Sequence, residues 1–317
     1  MKINDLNLTP SELKALQLAL PKMTVQEKIE LMDMLDLRER RARLTAASDN
    51  MLGFAHAVYP GFKVGPHHRK LAKIFQDVID GKKKRVIINI APRMGKSEFS
   101  SYLFPAYFLG KYPEKKIIMG THTAGLSEDF GRRVRNLIDG EEYHELFPAT
   151  QVADDQKAAG KWSTAAGGQY YAAGVGGALA GRGADLFVID DPHSEQEATL
   201  AETNPEIYDK TYEWYTSGPR QRLQPGGAIV IVMTRWAKRD LTGQILKNSE
   251  KDGTDEWEVI EFPAILPSGT PLWPGFWKRE ELEAIRAEIP SSKWNAQYQQ
   301  NPTSEEGAII KREYWRI

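Results

Sequence analysis

The chain has 317 residues, 41% of them hydrophobic, and 42 basic side chains nearly balance 43 acidic ones for a formal net charge of −1. That length and apolar share suffice for a full α/β core, and the balanced charge excludes a globally basic surface, so any nucleic-acid contact must be local. Cysteine is absent, which excludes disulfides and thiolate metal sites and fits a reducing cytoplasm; no stretch reads as a membrane span or an N-terminal signal.

Thr9-Pro10-Ser11-Glu12 combines an N-cap, a proline at the first helical position and a capping-box glutamate. Thr24-Val25-Gln26-Glu27 repeats the box, and Ile29, Leu31, Met32, Met34 and Leu35 follow near helical spacing. The basic run 38–43 continues that helix as a charged end, so 1–50 reads as a helical appendage packed on a core. Residues 71–79 read as a helix stopped by Gly81, and a second basic run, 82–85, leads into an apolar strand.

That strand opens the most informative stretch, residues 86–97, VIINIAPRMGKS. Gly95-Lys96-Ser97 is the second half of a phosphate-binding loop. Its backbone N–H groups cradle phosphate oxygens, Lys96 reaches the β- and γ-phosphates, and the Ser97 hydroxyl holds Mg²⁺. The helix that follows adds its positive end. The first glycine of the usual pattern is replaced by Ile90. Residues 98–108 are expected to be helical, with Pro105 kinking or ending the helix.

Next come an expected strand at 116–120 and a helix at 124–138 carrying Arg132, Arg133 and Arg135. Residues 169–177 alternate around aromatics and glycine and suggest a hairpin. Leu186-Phe187-Val188-Ile189-Asp190-Asp191 is an apolar run that delivers two carboxylates to a strand end. This suits a Mg²⁺-nucleotide site: Asp190 joins the Mg²⁺ shell opposite Ser97, and Asp191 orients and deprotonates the attacking water. A helix at 206–215 precedes a strand at 228–233 that ends in Thr234-Arg235-Trp236.

Strands alternating with helices imply a mainly parallel sheet covered on both faces. Ligands bind at the carboxyl ends of such strands, where all three motifs fall. Beyond Pro263, proline and tryptophan become dense and two short helices follow, at 279–288 and 292–300. The expected division is therefore 1–50 for the appendage, 51–263 for the core and 264–317 for a small helical subdomain.

These residues, in this order, resemble the ATPase half of the large terminase subunit of tailed bacteriophages and prophages, from about Phe54 onward. The landmarks are Pro66-His67-His68, APRMGKSE, the arginine-rich helix, Gly181-Arg182-Gly183-Ala184-Asp185, VIDDP, TRWAKRDLTGQIL and WNAQYQQNP. The resemblance implies a P-loop NTPase of the ASCE type, with an added strand between the two nucleotide strands. It also implies ATP and Mg²⁺ as ligands, and a motor that threads double-stranded DNA into a procapsid. The implied partners are the portal protein, the small terminase subunit and further copies of the chain in a ring, usually of five, working in the host cytoplasm on the procapsid. The family's nuclease half is expected to be missing, since the chain stops at Tyr314-Trp315-Arg316-Ile317 with no later cluster of three acids.

The resemblance implies further roles. Pro92, Arg93, Met94, Gly95, Lys96 and Ser97 form the phosphate loop, with Arg93 contacting or sensing the γ-phosphate. Asp191 stands where the family often has Glu, one methylene longer. His67 falls on the adenine-side segment. Thr234 and Arg235 belong to the coupling motif, with Trp236 a packing anchor. Arg182 is the first candidate for an arginine acting on the neighbouring subunit's nucleotide, ahead of Arg133 and Arg135. Three alternatives remain: a helicase-like translocase, a nucleotide-binding scaffold without turnover, and a small-molecule kinase.

Overall fold

The structure is a computed structural model that describes residues 9–252 and 256–303. The chain opens with α1 (Pro10–Ala19), α2 (Val25–Asp49), α3 (Met51–Val58) and α4 (Pro66–Ile79). Thr24 caps α2 as the box predicts: its hydroxyl accepts from Glu27 N–H, and Glu27 accepts from Thr24 N–H at 2.7 Å. Along the N-terminal half of α2, Val25, Ile29, Met32, Met34 and Leu37 stay exposed, whereas Ala47 is buried near its end. The helix therefore meets the core only towards its C-terminus, where Arg40 pairs with Glu145.

α4 starts five residues earlier than its apolar pattern suggests. His68 supplies the reason, since its Nδ1 accepts the Gly65 N–H at 2.9 Å and closes the first turn. Histidine at that position is not a usual helix-start signal.

β1 (Arg85–Ile90) is followed by a π-helical turn at Glu98–Leu103 and then α5 (Phe104–Lys111). Pro105 lies in the first turn of α5, where a missing N–H is tolerated. The expected kink is thus taken up as a wider turn before the proline. β2 (Lys116–Thr121), α6 (Ala124–Ile138) and α7 (Glu141–Leu146) come next.

β3 (Val152–Ala158), β4 (Lys161–Thr164) and β5 (Gln169–Gly174) form one edge of the sheet. The hairpin expected within 169–177 lies upstream instead, between β4 and β5, while β5 is a single strand parallel to β2. Cross-strand stacking of Trp162 on Tyr170, with centroids 5.1 Å apart and ring planes nearly parallel, favours that pairing.

The rest comprises β6 (Ala184–Asp190), α8 (Glu195–Ala201), α9 (Ile207–Ser217), β7 (Leu223–Met233), α10 (Leu241–Asp252), β8 (Glu258–Phe262) and α11 (Arg279–Glu288). Last are α12 (Ser291–Lys293) and a π turn at Trp294–Tyr298.

The eight strands form one sheet in the order β3-β4-β5-β2-β6-β7-β1-β8, parallel from β5 to β8 and antiparallel only at the β3-β4-β5 edge. This is the expected mainly parallel α/β sheet, with β7 inserted between β1 and β6. Strand alternation divides the apolar side chains between two faces. Val86, Ile88 and Ile90 of β1 join the core under α3 to α6, whereas Ile87 joins Trp214 of α9 and Leu241 and Ile245 of α10 on the other face. Leu272, Trp273, Leu282 and Trp294, from the region after 263, are buried in the first of these cores. Among the described residues no helix is long and apolar enough to cross a membrane.

Candidate nucleotide site

β1 is buried beyond Arg85 and runs at Ile90 into the loop 91–97. The loop turns on two residues with positive φ, Arg93 (60°) and Gly95 (75°). Glycine is needed at 95 on two counts: the backbone is left-handed, and a Cβ there would lie 2.8 Å from His68 Nε2.

Lys96 is buried, with its Nζ 2.7 Å from Asp191 Oδ2. Asp191 stands just past β6 at φ 41°, a conformation that needs external support in a non-glycine residue. Its N–H donates to Val232 O at 3.0 Å, and its Oδ1 accepts from Thr234 N–H at 3.1 Å. The Thr234 hydroxyl in turn donates to Ile90 O at 3.1 Å. Thr234, at the end of β7, therefore bridges the ends of β1 and β6.

Asp190 is 2% exposed. Its Oδ2 accepts from the Ser101 hydroxyl at 2.6 Å, and the neighbouring Ser97 side chain also favours its charged form. Oδ1 is buried with no hydrogen-bond partner. Burial first, then the Asp191 charge, pushes the Asp190 pKa up to about 6, with Lys96 and the two serines opposing. Burial disfavours the Lys96 charge, yet Asp191 and Asp190 hold its pKa above the ordinary lysine value. An orphaned, buried carboxylate oxygen beside a serine hydroxyl is hard-oxygen chemistry, so these residues fit Mg²⁺.

A cleft of about 590 Å³ opens against the loop, with Arg93, Gly95, Lys96, Ser97 and Glu98 on one side and Tyr59, Phe62, Trp273 and Phe276 on the other. Among the described residues, Tyr59 and Phe276 are the two exposed large aromatics, and both line this cleft. Phe276 stacks on Trp273 at 4.5 Å. A flat apolar surface next to a phosphate loop suits a nucleotide base. Tyr59 and Phe276 were missed by sequence reasoning, although the aromatic density after Pro263 was a signal.

The other expected site residues divide into those that converge and those that do not. Pro92 is half-buried in the loop, and Met94 is buried beneath it. His67 does not face the cleft: it is buried, and its Nε2 donates to Met94 O at 2.8 Å, buttressing the loop from below. Burial lowers its pKa, and burial followed by the neighbouring His67 lowers that of His68 to about 3, so both rings are neutral near pH 7. Arg93 is exposed at the loop tip.

The Arg235 guanidinium is engaged elsewhere, its Nε donating to both oxygens of the fully buried Asp240 at 3.2 and 2.9 Å. Arg182 precedes β6, whereas Asp190 ends it, so strand rise separates them by on the order of 20 Å. Its guanidinium lies over Tyr171 at 4.7 Å. Arg133 pairs with Glu98 at 2.6 Å and lies over Tyr102, while Arg135 donates to Asn136 Oδ1. Ser101 had no distinguishing signal in the sequence. The terminal residues 314–317 lie outside the described residues.

No protein-family model and no curated protein matches the chain. Among solved structures it is similar to the ATPase domain of the Thermus phage P74-26 large terminase, at 16% identity and TM-score 0.48, over 77% of this chain and 95% of that one. It is also similar to the HK97 bacteriophage large terminase, at 14% identity and TM-score 0.45, over 76% of this chain and 51% of that one. A third similar structure is the large terminase of a thermophilic bacteriophage in complex with ATP-γ-S, at 9% identity and TM-score 0.45, over 75% of this chain and 52% of that one. The matched region thus spans nearly all of the isolated ATPase domain and about half of the two longer terminases.

Proposed function

We propose that this chain is an ATP-hydrolysing motor subunit of the large-terminase kind, using hydrolysis to move double-stranded DNA into a procapsid. The observation that carries this reading is the meeting of Lys96, Asp190, Asp191 and Thr234 at the carboxyl ends of β1, β6 and β7, against one cleft. A scaffold without turnover has no use for a second carboxylate beside the first.

Within this reading, the loop 91–97 holds the ATP phosphates through its N–H groups and Lys96. Ser97 and Asp190 would hold Mg²⁺, which would supply neutralisation of the phosphate charge. Asp191 accepts a proton from a water whose oxygen attacks the γ-phosphorus, while the bond to the ADP oxygen breaks. ATP must compete with Asp191 for Lys96, since the two side chains form an ion pair at 2.7 Å. Binding therefore frees the carboxylate that the chemistry needs.

Loss of the γ-phosphate is felt by Asp191 and passed to Thr234. Arg93 senses the γ-phosphate from the loop tip. Arg182 cannot reach its own Asp190 and acts on the next copy in a ring. In this reading the ATPase core occupies 51–263, flanked by 1–50 and 264–317. DNA is held through its phosphates, without sequence preference and with strong salt dependence. The portal protein, the small terminase subunit and a site of action on the procapsid in the host cytoplasm belong to the same proposal.

The test is steady-state ATP hydrolysis against protein concentration, for the wild type beside Lys96→Ala and Asp191→Asn. Loss of turnover in both variants, with wild-type specific activity rising with concentration, supports a motor completed by its neighbour. Turnover that ignores both substitutions overturns the site.

A further inference from the structure

Three consecutive residues at the start of α10 each bond a different strand end. Asp240 takes Arg235, just past β7, and also accepts the N–H groups of Trp236 at 2.9 Å and Gly243 at 3.0 Å. Leu241 N–H donates to His193 Nε2 at 2.9 Å, three residues past Asp190 of β6. The Thr242 hydroxyl donates to Asn89 Oδ1 of β1 at 3.0 Å. Asp240, Leu241, Thr242, His193 and Asn89 are all buried. One helical turn thus takes its position from the strands that carry the phosphate loop, the acid pair and the Thr-Arg segment.

Arg235 belongs to the segment expected to couple; Asp240 and His193 do not. The His193 ring is held edge-on by Tyr208 at 4.8 Å and by the Thr211 hydroxyl at 3.5 Å from Nδ1, both on α9. Because Leu241 N–H donates to it, Nε2 carries no proton. Only Pro192, with its fixed φ, separates His193 from Asp191. Asp191 keeps φ 41° only while its surroundings hold it there. Val232 and Thr234 hold it from β7; His193 holds the chain on its other side.

We propose that His193 is a positioning residue: by accepting the Leu241 N–H it fixes Asp191 over Lys96 and carries any shift of Asp191 into the first turn of α10. This rests on Asp191 being the carboxylate that prepares the water. A histidine that merely fills the core would, when replaced, lower stability and leave the turnover of the folded fraction unchanged.

The experiment uses the full chain with His193→Leu, which removes the acceptor, and His193→Gln, whose Oε1 can replace it. Expected for His193→Leu is a kcat lower by about tenfold or more, with KM for ATP and Kd for ATP-γ-S within about twofold of wild type. His193→Gln recovers much of the loss. Adding ATP-γ-S changes amide hydrogen exchange at Leu241 in the wild type and in His193→Gln, and leaves it unchanged in His193→Leu. Where His193→Leu does not fold, His193→Asn, too short to reach Leu241, takes its place.

A kcat that falls only with the folded fraction, or an exchange response that survives loss of the acceptor, overturns the proposal. A wild type that binds ATP-γ-S and shows the exchange response without hydrolysing ATP overturns the ATPase reading and leaves the link to α10 standing.

Discussion

Lys96 Nζ and Asp191 Oδ2 meet at 2.7 Å across the end of β7, the strand that lies between theirs. The same carboxylate accepts the Thr234 N–H through its other oxygen. In the proposed mechanism the carboxylate that acts as base is thus paired with the lysine that binds phosphate. Asp191→Asn keeps an acceptor for Thr234 and removes the charge that holds Lys96. We expect ATP-γ-S to bind this variant at least as tightly as wild type, since the competing ion pair is gone, while turnover falls by about 100-fold or more. Calorimetric titration beside a phosphate-release assay checks both halves, and weakened binding would contradict competition between Asp191 and ATP for Lys96.

Asp190 gives a pH dependence with a definite sign. Its pKa in the fold, about 6, lies above the ordinary aspartate value of 3.8. Its contribution to the stability of the nucleotide-free protein is therefore full below that ordinary value and is lost as pH rises through about 6. In the proposed site Mg²⁺ needs the ionised carboxylate, so Mg²⁺-dependent nucleotide affinity should fall as pH drops below 6. Asp190→Asn should raise the nucleotide-free Tm at pH 7.5 by about 2–4 °C and abolish the Mg²⁺ dependence of nucleotide binding. Thermal scans and titrations at several pH values test this.

Gly95→Ala combines a left-handed backbone with a Cβ placed 2.8 Å from His68 Nε2. The strain should cost about 1–3 kcal/mol, read from urea denaturation, and the distorted loop should not bind ATP-γ-S. Gly81→Ala makes a control, because its φ is also positive but nothing lies within 4 Å of a Cβ there. It should lose stability and keep nucleotide binding.

Asp240→Asn removes the near counter-charge of the buried Arg235 and leaves it only the exposed Glu261 carboxylate at 3.9 Å. The expected cost is about 3–5 kcal/mol. Denaturant titration of the variant measures it, and a loss below 1 kcal/mol would show that Glu261 suffices as the partner of Arg235.

In the proposed ring, Arg182 serves a neighbouring copy, so Arg182→Ala should leave nucleotide binding unchanged and reduce turnover. Mixing Arg182→Ala with Lys96→Ala should restore part of the activity, since a mixed interface pairs an intact site with an intact arginine. No recovery at any mixing ratio would remove Arg182 from the role.

Several elements were legible locally. Helix 124–138 and helix 279–288 have the bounds their patterns suggest, and the apolar runs 86–90 and 186–190 are strands. Each such element has a period, a cap or a breaker within its own residues. β8, beside β1, was missed because Glu258-Val259-Ile260-Glu261-Phe262 is short and half-polar, and it becomes a strand only where β1 offers an open edge. The early start of α4 was missed for a related reason, since its cap is a histidine that also packs under the phosphate loop.

The order of the chain determined which residue types could handle a phosphate: a loop ending in Gly95-Lys96-Ser97 after one apolar run, and two acids after another. Those signals are local because a tight turn and an acid-tipped strand depend on neighbours in sequence. Which face each side chain meets was decided in three dimensions. Ser101 reaches Asp190 across 89 positions, His67 turns under the loop rather than into the cleft, and Arg235 is committed to Asp240. In each case a buried polar group had to find a partner, and the packing of strand ends against α10 and α4 chose which one.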